Sequence, residues 1–108
     1  MYVRAARFEG IDVGNIERDI ERFRQMVRMQ ETPEGMSDEA FTTLRDCVKR
    51  VMSCVDREAG VSLDLVFTES AEDAQRVHEV LDAMSPPEEA GRRTSVGTYE
   101  LMMDEQLG

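Results

Sequence analysis

The periodicity of the apolar residues predicts an α+β domain in which four antiparallel strands pack against helices. Two short segments alternate between apolar and polar residues, as strands do, and a third is rich in β-branched residues. Two longer segments repeat their apolar residues at helical spacing. Turn and capping residues fall between these segments. Because 108 residues suffice for one domain only, we expect a single domain at residues 1–104 and a frayed tail at 105–108.

The first strand and the first helix follow each other at the start of the chain. Residues 2–9 are predicted as a strand, because their apolar residues alternate with arginines. From Asn15 onward the period becomes helical, and either Asp12 or Asn15 can cap the helix. Pro33 and Gly35 can end it. The apolar stripe of this helix consists of Ile16, Ile20, Phe23 and Val27.

Residues 37–59 allow two interpretations. One long helix would align the apolar residues Phe41, Leu44, Val48, Val51 and Val55. However, residues 47–55 are rich in β-branched side chains, and residues 56–60 resemble a hairpin turn. A strand that begins directly after a short turn needs a partner directly before it. We therefore predict a short helix at 38–45 and a strand at 47–56.

A strand, a capped helix and a last strand complete the prediction. Residues 61–68 place Val61, Leu63, Leu65 and Phe67 on one side and Ser62, Asp64 and Thr68 on the other, which predicts a strand. Ser70 is predicted to cap the next helix, with Asp73 in its first turn, and residues 85–87 (Ser-Pro-Pro) to end it. The apolar face of that helix comprises Ala74, Val77, Leu81 and Met84, with Val80 beside it. The last strand is predicted at 93–103.

The resulting order, β-α-(α)-β-β-α-β, is that of a split βαββαβ unit, the ferredoxin-like pattern. Four segments carry a further likeness: FEG at 8–10, VDREAG at 55–60, VSLDLVFTESAEDA at 61–74 and SVGTYEL at 95–101. Together they resemble small dimeric α/β-barrel proteins related to the antibiotic-biosynthesis monooxygenases. This resemblance implies a homodimer in which two four-stranded sheets face each other across a two-fold axis, with the helices outside. Residues 32–46 depart from the shorter connection that is common in such proteins.

The sheet itself also predicts a partner. If two amphipathic helices cover one face, the other face stays open, and we take the open face to be that of Ser62, Asp64 and Val66. Such a face is partly apolar, and a four-stranded sheet that exposes it needs a partner or it aggregates. A two-fold contact between identical chains is the commonest solution, so we expect a homodimer.

Composition excludes several partners and sites. The chain has 23 acidic and 13 basic residues, and its net charge of −10 repels nucleic-acid phosphates. It has neither an apolar run long enough to span a membrane nor the apolar region of a signal peptide. Cys47 and Cys54 are too far apart for a disulfide in either a helix or a strand, so we expect free thiols and a cytoplasmic protein. No metal or other cofactor is expected, because His78 is the only histidine and the two thiols have no further ligands nearby.

The candidate catalytic residues are Tyr99 and His78. The resemblance implies a ligand pocket of aromatic and polar side chains between sheet and helices, such as supports cofactor-independent quinol oxidation. The residues available for it are Phe8, Phe67 and Tyr99, together with Tyr2 and with Arg4 or Arg7 as anion partners. Tyr99 could donate a proton to a phenolic substrate and His78 could transfer one, but packing and surface roles also account for them. The haem chemistry of some relatives requires His, Asn and Trp, and this chain has no Trp and no matching Asn.

Two functions therefore remain open from the sequence. One is a cofactor-independent, monooxygenase-like enzyme that acts on a small aromatic ligand. The other is a non-catalytic module that binds a small molecule or assembles with a partner. A pocket of about 300 Å³ or more, lined by Tyr99 or His78, would favour the enzyme. A filled core would favour assembly.

Overall fold

The fold is seen in a computed structural model that describes residues 1–29, 32, 35–84 and 91–108. The strands are β1 (Tyr2–Glu9), β2 (Val48–Asp56), β3 (Val61–Thr68) and β4 (Arg92–Glu100). The helices are α1 (Ile16–Met29), which follows a 3-10 turn at Val13–Asn15, α2 (Asp38–Cys47) and α3 (Ala71–Asp82). The strands form one antiparallel sheet in the order β2-β3-β1-β4. The predicted α+β class is confirmed, and the strand order is compatible with a ferredoxin-like fold.

The division of residues 37–59 into a helix and a strand is confirmed. Ser37 caps α2, since its hydroxyl accepts a hydrogen bond from the Ala40 amide at 3.0 Å. The chain turns from helix to strand at Val48, whose amide still donates to the carbonyl of Leu44. β2 then pairs with β3 along its length. The single long helix does not form, because it would leave the inner strand β3 without backbone hydrogen bonds on one side.

Two predicted caps and one predicted end can be compared with the structure. The Asp12 carboxylate accepts from the Gly14 amide at the first helical turn, and the Ser70 hydroxyl accepts from the Asp73 amide at α3. The last strand was predicted too long, because it ends at Glu100 and not at 103. The pairing of β4 with β1 ends at Glu100 and Tyr2, and the Leu101 amide makes one further bond, to the Met1 carbonyl. The predicted helix ends at Pro33 and at 85–87 lie outside the described residues.

The core lies on the face of the sheet that α2 and α3 cover, which we call the helix face. It centres on Cys47, Val66 and Val77, with Leu44, Val48 and Leu81 packed around them. Register places Ser62, Asp64, Val66 and Thr68 on this same face. The expectation that these residues form the open face is therefore wrong. Strand alternation separates two sets of side chains but does not say which set the helices cover.

The helix α1 contributes less to the core than the sequence predicts. α2 and α3 pack together above the sheet, whereas the main contacts of α1 are with the 3-10 turn before it. Ile16 and Ile20 are half-buried, and Phe23 on the same stripe is exposed. Glu17 near the start of α1 forms an ion pair with Arg57 in the β2–β3 turn at 2.8 Å. The expectation that α1 and α3 together cover the sheet is corrected: α2 and α3 do so.

Candidate functional site

A polar cluster lies beneath α3 on the helix face, and it joins two residues that the sequence singles out separately. Arg4, on the inner strand β1, is only 6% exposed. Its Nε donates a hydrogen bond to Nδ1 of His78 on α3 at 3.2 Å. Because this bond uses Nδ1 as an acceptor, the proton of the neutral imidazole is on Nε2. The imidazole is thus oriented by a buried arginine.

Arg4 is a buried cation without a close counter-charge in the described part of the chain. None of the ion pairs found there, within 4.0 Å, involves Arg4. Burial lowers the pKa of Arg4, and the charge of Arg93 lowers it further, while the charges of Asp82 and Asp64 oppose this shift. A buried charge without a partner is costly, so this arrangement calls for an explanation.

Asp64 is the second ionisable group on this face, and sequence analysis did not select it as a site residue. It lies on β3 opposite Ala6, one step along the sheet from Arg4. Its carboxylate accepts a hydrogen bond from the Ser53 hydroxyl at 2.8 Å. Burial raises the pKa of Asp64, and the Ser53 bond and the charge of Arg4 partly offset this. The signal in the sequence was a lone carboxylate inside the apolar run VSLDLVF.

Arg93 and Asp82 close the cluster at the end of α3. Their ion pair joins β4 to α3 at 2.6 Å and stays partly exposed. The hydrogen bond and the charge of Arg93 hold the pKa of Asp82 below its usual value. This pair is satisfied internally, whereas Arg4 and Asp64 have no ionic partner within 4.0 Å among the described residues.

The predicted aromatic pocket is divided between the two faces of the sheet. Phe8 pairs with Ser62 on the helix face, whereas Phe67 and Tyr99 both pair with Val3 on the opposite face. Tyr99 is 63% exposed, and its ring lies over Gly97 so closely that a Cβ there would meet it. Tyr99 and His78 are therefore on opposite sides of the sheet and do not share a site.

The face opposite the helices, which we call the open face, is apolar at its centre. Adjacent strands place its residues in rows, the first running Arg50, Phe67, Val3 and Tyr99 and the second Met52, Leu65, Ala5 and Gly97. The third row runs Cys54, Leu63, Arg7 and Ser95. Leu63, Met52 and Tyr99 are among the exposed large side chains of the chain. No helix of the core covers this face, because the core helices pack on the other side.

Charged residues surround this apolar centre. The Arg50 guanidinium lies 5.7 Å from the centre of the Phe67 ring and 4.0 Å from the Asp104 carboxylate. Since Arg50 is on one edge strand and Asp104 follows the other, the C-terminal segment crosses the end of the sheet on this face. At the other end, Arg7 pairs with Glu9 at 3.0 Å.

A shallow concavity of about 240 Å³ lies at the end of the β2–β3 hairpin. Its lining residues are Cys54, Val55, Asp56, Val61, Ser62 and Leu63, and they include neither Tyr99 nor His78. Both cysteines are free thiols, Cys47 buried and Cys54 exposed. Within the described residues, no group of three or more His, Cys, Asp or Glu side chains is placed to hold a metal ion.

Comparison with models of known protein families and with curated proteins finds no match to this chain. Among the helices that the structure describes, none combines the length and the hydrophobicity needed to cross a lipid bilayer.

Proposed function

We propose that this protein is a homodimeric assembly module whose two copies join through their open faces. The observation that carries the proposal is the position of the apolar side chains of the sheet. Leu63 and Met52, which are 38% and 37% exposed, lie beside the half-buried Leu65 on the face that the core helices leave uncovered. Contiguous apolar surface of this kind on a soluble protein marks an interaction site.

The size of the open face suits a second copy of the chain. Four strands of eight residues, at about 4.8 Å between strands and about 3.3 Å per residue, project an area of about 500 Å². Two copies placed face to face would bury about 1,000 Å², which is near the lower bound for a specific interface. Its apolar centre and charged rim also match the usual anatomy of such interfaces.

The charges around the open face suit the same partner. Its rim carries three basic and three acidic residues, so their formal charges cancel. These residues are Arg7, Arg50, Arg92, Glu9, Asp56 and Asp104. The whole chain has a net charge of −10, so the excess negative charge lies elsewhere. Two copies therefore repel each other least when these faces meet. The likeness to dimeric α/β barrels supports the same arrangement, since their sheets face each other.

The alternative, an enzyme that acts on an aromatic ligand, has less support. Its two candidate catalytic residues, Tyr99 and His78, lie on opposite faces of the sheet. The concavity at the hairpin is lined by neither of them. General acid–base chemistry needs its groups within hydrogen-bond reach of one ligand, which these positions do not provide.

A charge placed at the centre of the open face tests the proposal. Light scattering is expected to give the mass of a dimer for the unaltered chain at about 50 µM, a concentration well above typical dimer dissociation constants. Leu65→Glu buries an unpaired carboxylate in the interface, and we expect the dissociation constant to rise by about a hundredfold or more. Thr42→Glu, on the exposed side of α2, adds the same charge and is expected to leave the dimer intact.

Two results would contradict the proposal. One is a monomer mass for the unaltered chain at that concentration. The other is a dimer that survives Leu65→Glu with unchanged affinity, which would place the contact on another surface. Far-UV circular dichroism of each variant separates loss of association from loss of folding.

A further inference from the structure

We propose that Arg4 and His78 form a binding site for a small monocarboxylate on the helix face. This site goes beyond the assembly function, because it lies on the side of the sheet opposite the open face. It rests on three observations: the hydrogen bonding of Arg4, the charges around it and the orientation of His78.

The terminal nitrogens of Arg4 are accessible and without a protein partner in the described part of the chain. Arg4 is only 6% exposed, and its one hydrogen bond to the described residues uses Nε. Every fully buried side-chain nitrogen or oxygen there has a hydrogen-bond partner. Nη1 and Nη2 have none, so they must contact solvent. The guanidinium thus presents the paired donors that bind a carboxylate in a bidentate manner.

The surrounding charges favour a ligand with a single negative charge. Arg4 and Arg93 are the cations of the cluster, and Asp64 and Asp82 are the anions. Arg93 and Asp82 already form an ion pair with each other. An incoming monoanion would give Arg4 the close counter-charge that it lacks among the described residues, and one negative charge suffices for that. A dianion would leave a second negative charge uncompensated beside Asp64 and Asp82, because Arg93 is already paired. A planar carboxylate therefore fits better than a phosphate dianion.

His78 positions the arginine and adds a donor to the site. Its Nδ1 accepts the Nε–H of Arg4, which fixes the plane of the guanidinium. Its Nε2–H remains as a further donor on a half-buried side chain. His78 is on α3 and Arg4 on β1, so the site lies between sheet and helix and excludes bulk water in part. Small carboxylates such as acetate and benzoate are its expected ligands.

Titration of the unaltered protein with these two anions is the direct test. In protein labelled with ¹⁵N-arginine, the assigned Nε–Hε signal of Arg4 is expected to shift saturably with sodium acetate or sodium benzoate. Sodium chloride at equal ionic strength is expected to cause no saturable shift. Failure of both carboxylates to shift this signal by 20 mM, a concentration of the order that weak single-contact ligands need, would overturn the proposal.

Matched variants assign the binding to Arg4. Arg4→Met removes the guanidinium but keeps the length of the side chain, and it should weaken carboxylate binding by about tenfold or more. Arg45→Met removes the same charge from an exposed position on α2 and should leave binding unchanged. Equal weakening in both variants would indicate a general charge effect and would overturn the site.

Two further comparisons complete the test. Phosphate that binds more tightly than acetate at equal ionic strength would overturn the assignment to monocarboxylates. If Arg4→Met does not fold, the signal of Arg4 in the unaltered protein decides the outcome alone. Because Leu65→Glu alters only the opposite face, the monomeric variant is expected to keep carboxylate binding, so failure of the dimer and failure of the site are distinguishable.

Discussion

The two faces of the sheet differ in the side chains that they bury. The helix face buries the polar Arg4, Ser62 and Thr68 beside the apolar Ala6 and Val66. The open face carries Leu63 and Leu65, which the core helices do not cover. In a chain that functions alone, the apolar set would be expected under the helices.

This difference is consistent with the proposed function, in which one face packs against helices and the other against a second copy of the chain. The helix face pairs part of its polar groups within the chain: Thr68 donates to the Ser70 carbonyl at 3.4 Å, and Arg4 donates to His78 through Nε but has no partner for its terminal nitrogens among the described residues. On the open face Leu63 and Met52 stay exposed in the single chain, whereas Phe67 is buried there. Under the proposed function, the helix face therefore stabilises the fold and the open face joins the two copies. Each prediction below separates these two roles.

Truncation of one apolar side chain on each face should give the largest contrast. Val77 is fully buried, with 0% exposure, so Val77→Ala should lower the free energy of unfolding by about 2–3 kcal/mol. Leu63 is 38% exposed, and Leu63→Ala should lower it by less than about 1 kcal/mol in the dilute, dissociated protein. Chemical denaturation at low concentration measures both values.

At high concentration the same Leu63→Ala variant should also weaken the dimer. Its destabilisation should therefore grow with protein concentration, while that of Val77→Ala should stay nearly constant. Equal and concentration-independent losses in the two variants would mean that the faces do not differ in role.

The two thiols provide a second contrast, because one lies on each side of the sheet. Burial raises the pKa of the Cys47 thiol, with Asp73 contributing, and Cys47 is packed between Val66 and Val77. Cys54 is exposed on the open face. A thiol reagent should modify Cys54 roughly a hundredfold or more faster than Cys47, since Cys47 reacts only after local opening.

Protein concentration then sharpens the thiol experiment. If the open faces join, the modification of Cys54 should slow as dimer accumulates, and Leu65→Glu should remove this dependence. In denaturant without reductant, two thiols per chain should react. Comparable rates at Cys47 and Cys54 in the native protein would contradict the burial of Cys47.

The smallest expected effect concerns the pH dependence of stability on the helix face. Because burial raises the pKa of Asp64 above 3.8, the native state holds this proton more tightly than the unfolded chain. Its contribution to stability is therefore largest below pH 3.8 and is lost as the pH rises through the native pKa. Relative to Asp64→Asn, the unaltered protein should lose stability as the pH rises from about 3 to about 7. This range includes both the ordinary carboxyl pKa and the raised pKa of Asp64.

Asp82→Asn is the control of opposite sign. The pKa of Asp82 is lowered by Arg93, so its contribution is present above pH 3.8 and is lost as the pH falls below that value. Relative to Asp82→Asn, the unaltered protein should therefore gain stability over the same rise in pH. Denaturant unfolding at several pH values measures both differences, and the same sign for the two variants would contradict the assigned environments.

The sequence alone determined the elements and their order, because those depend on local physics. Alternation at 61–68, the caps at Asp12 and Ser70, and the need of β3 for a hairpin partner are all properties of neighbouring residues. They were sufficient to divide 37–59 correctly into α2 and β2. The predicted length of the last strand was wrong, because pairing with β1, which is a long-range property, sets the end of that strand.

Only the tertiary structure decided which face the helices cover and which residues meet there. Alternation is symmetric between the two faces, so it could not show that Ser62 and Asp64 lie on the helix face while Leu63 and Leu65 lie on the open face. Arg4 and His78 are 74 positions apart, and their contact depends on where α3 crosses the sheet. Tyr99 and Phe8, which were expected to share a pocket, were separated because register assigns them to opposite faces. Packing between distant segments, and not local pattern, fixes these choices.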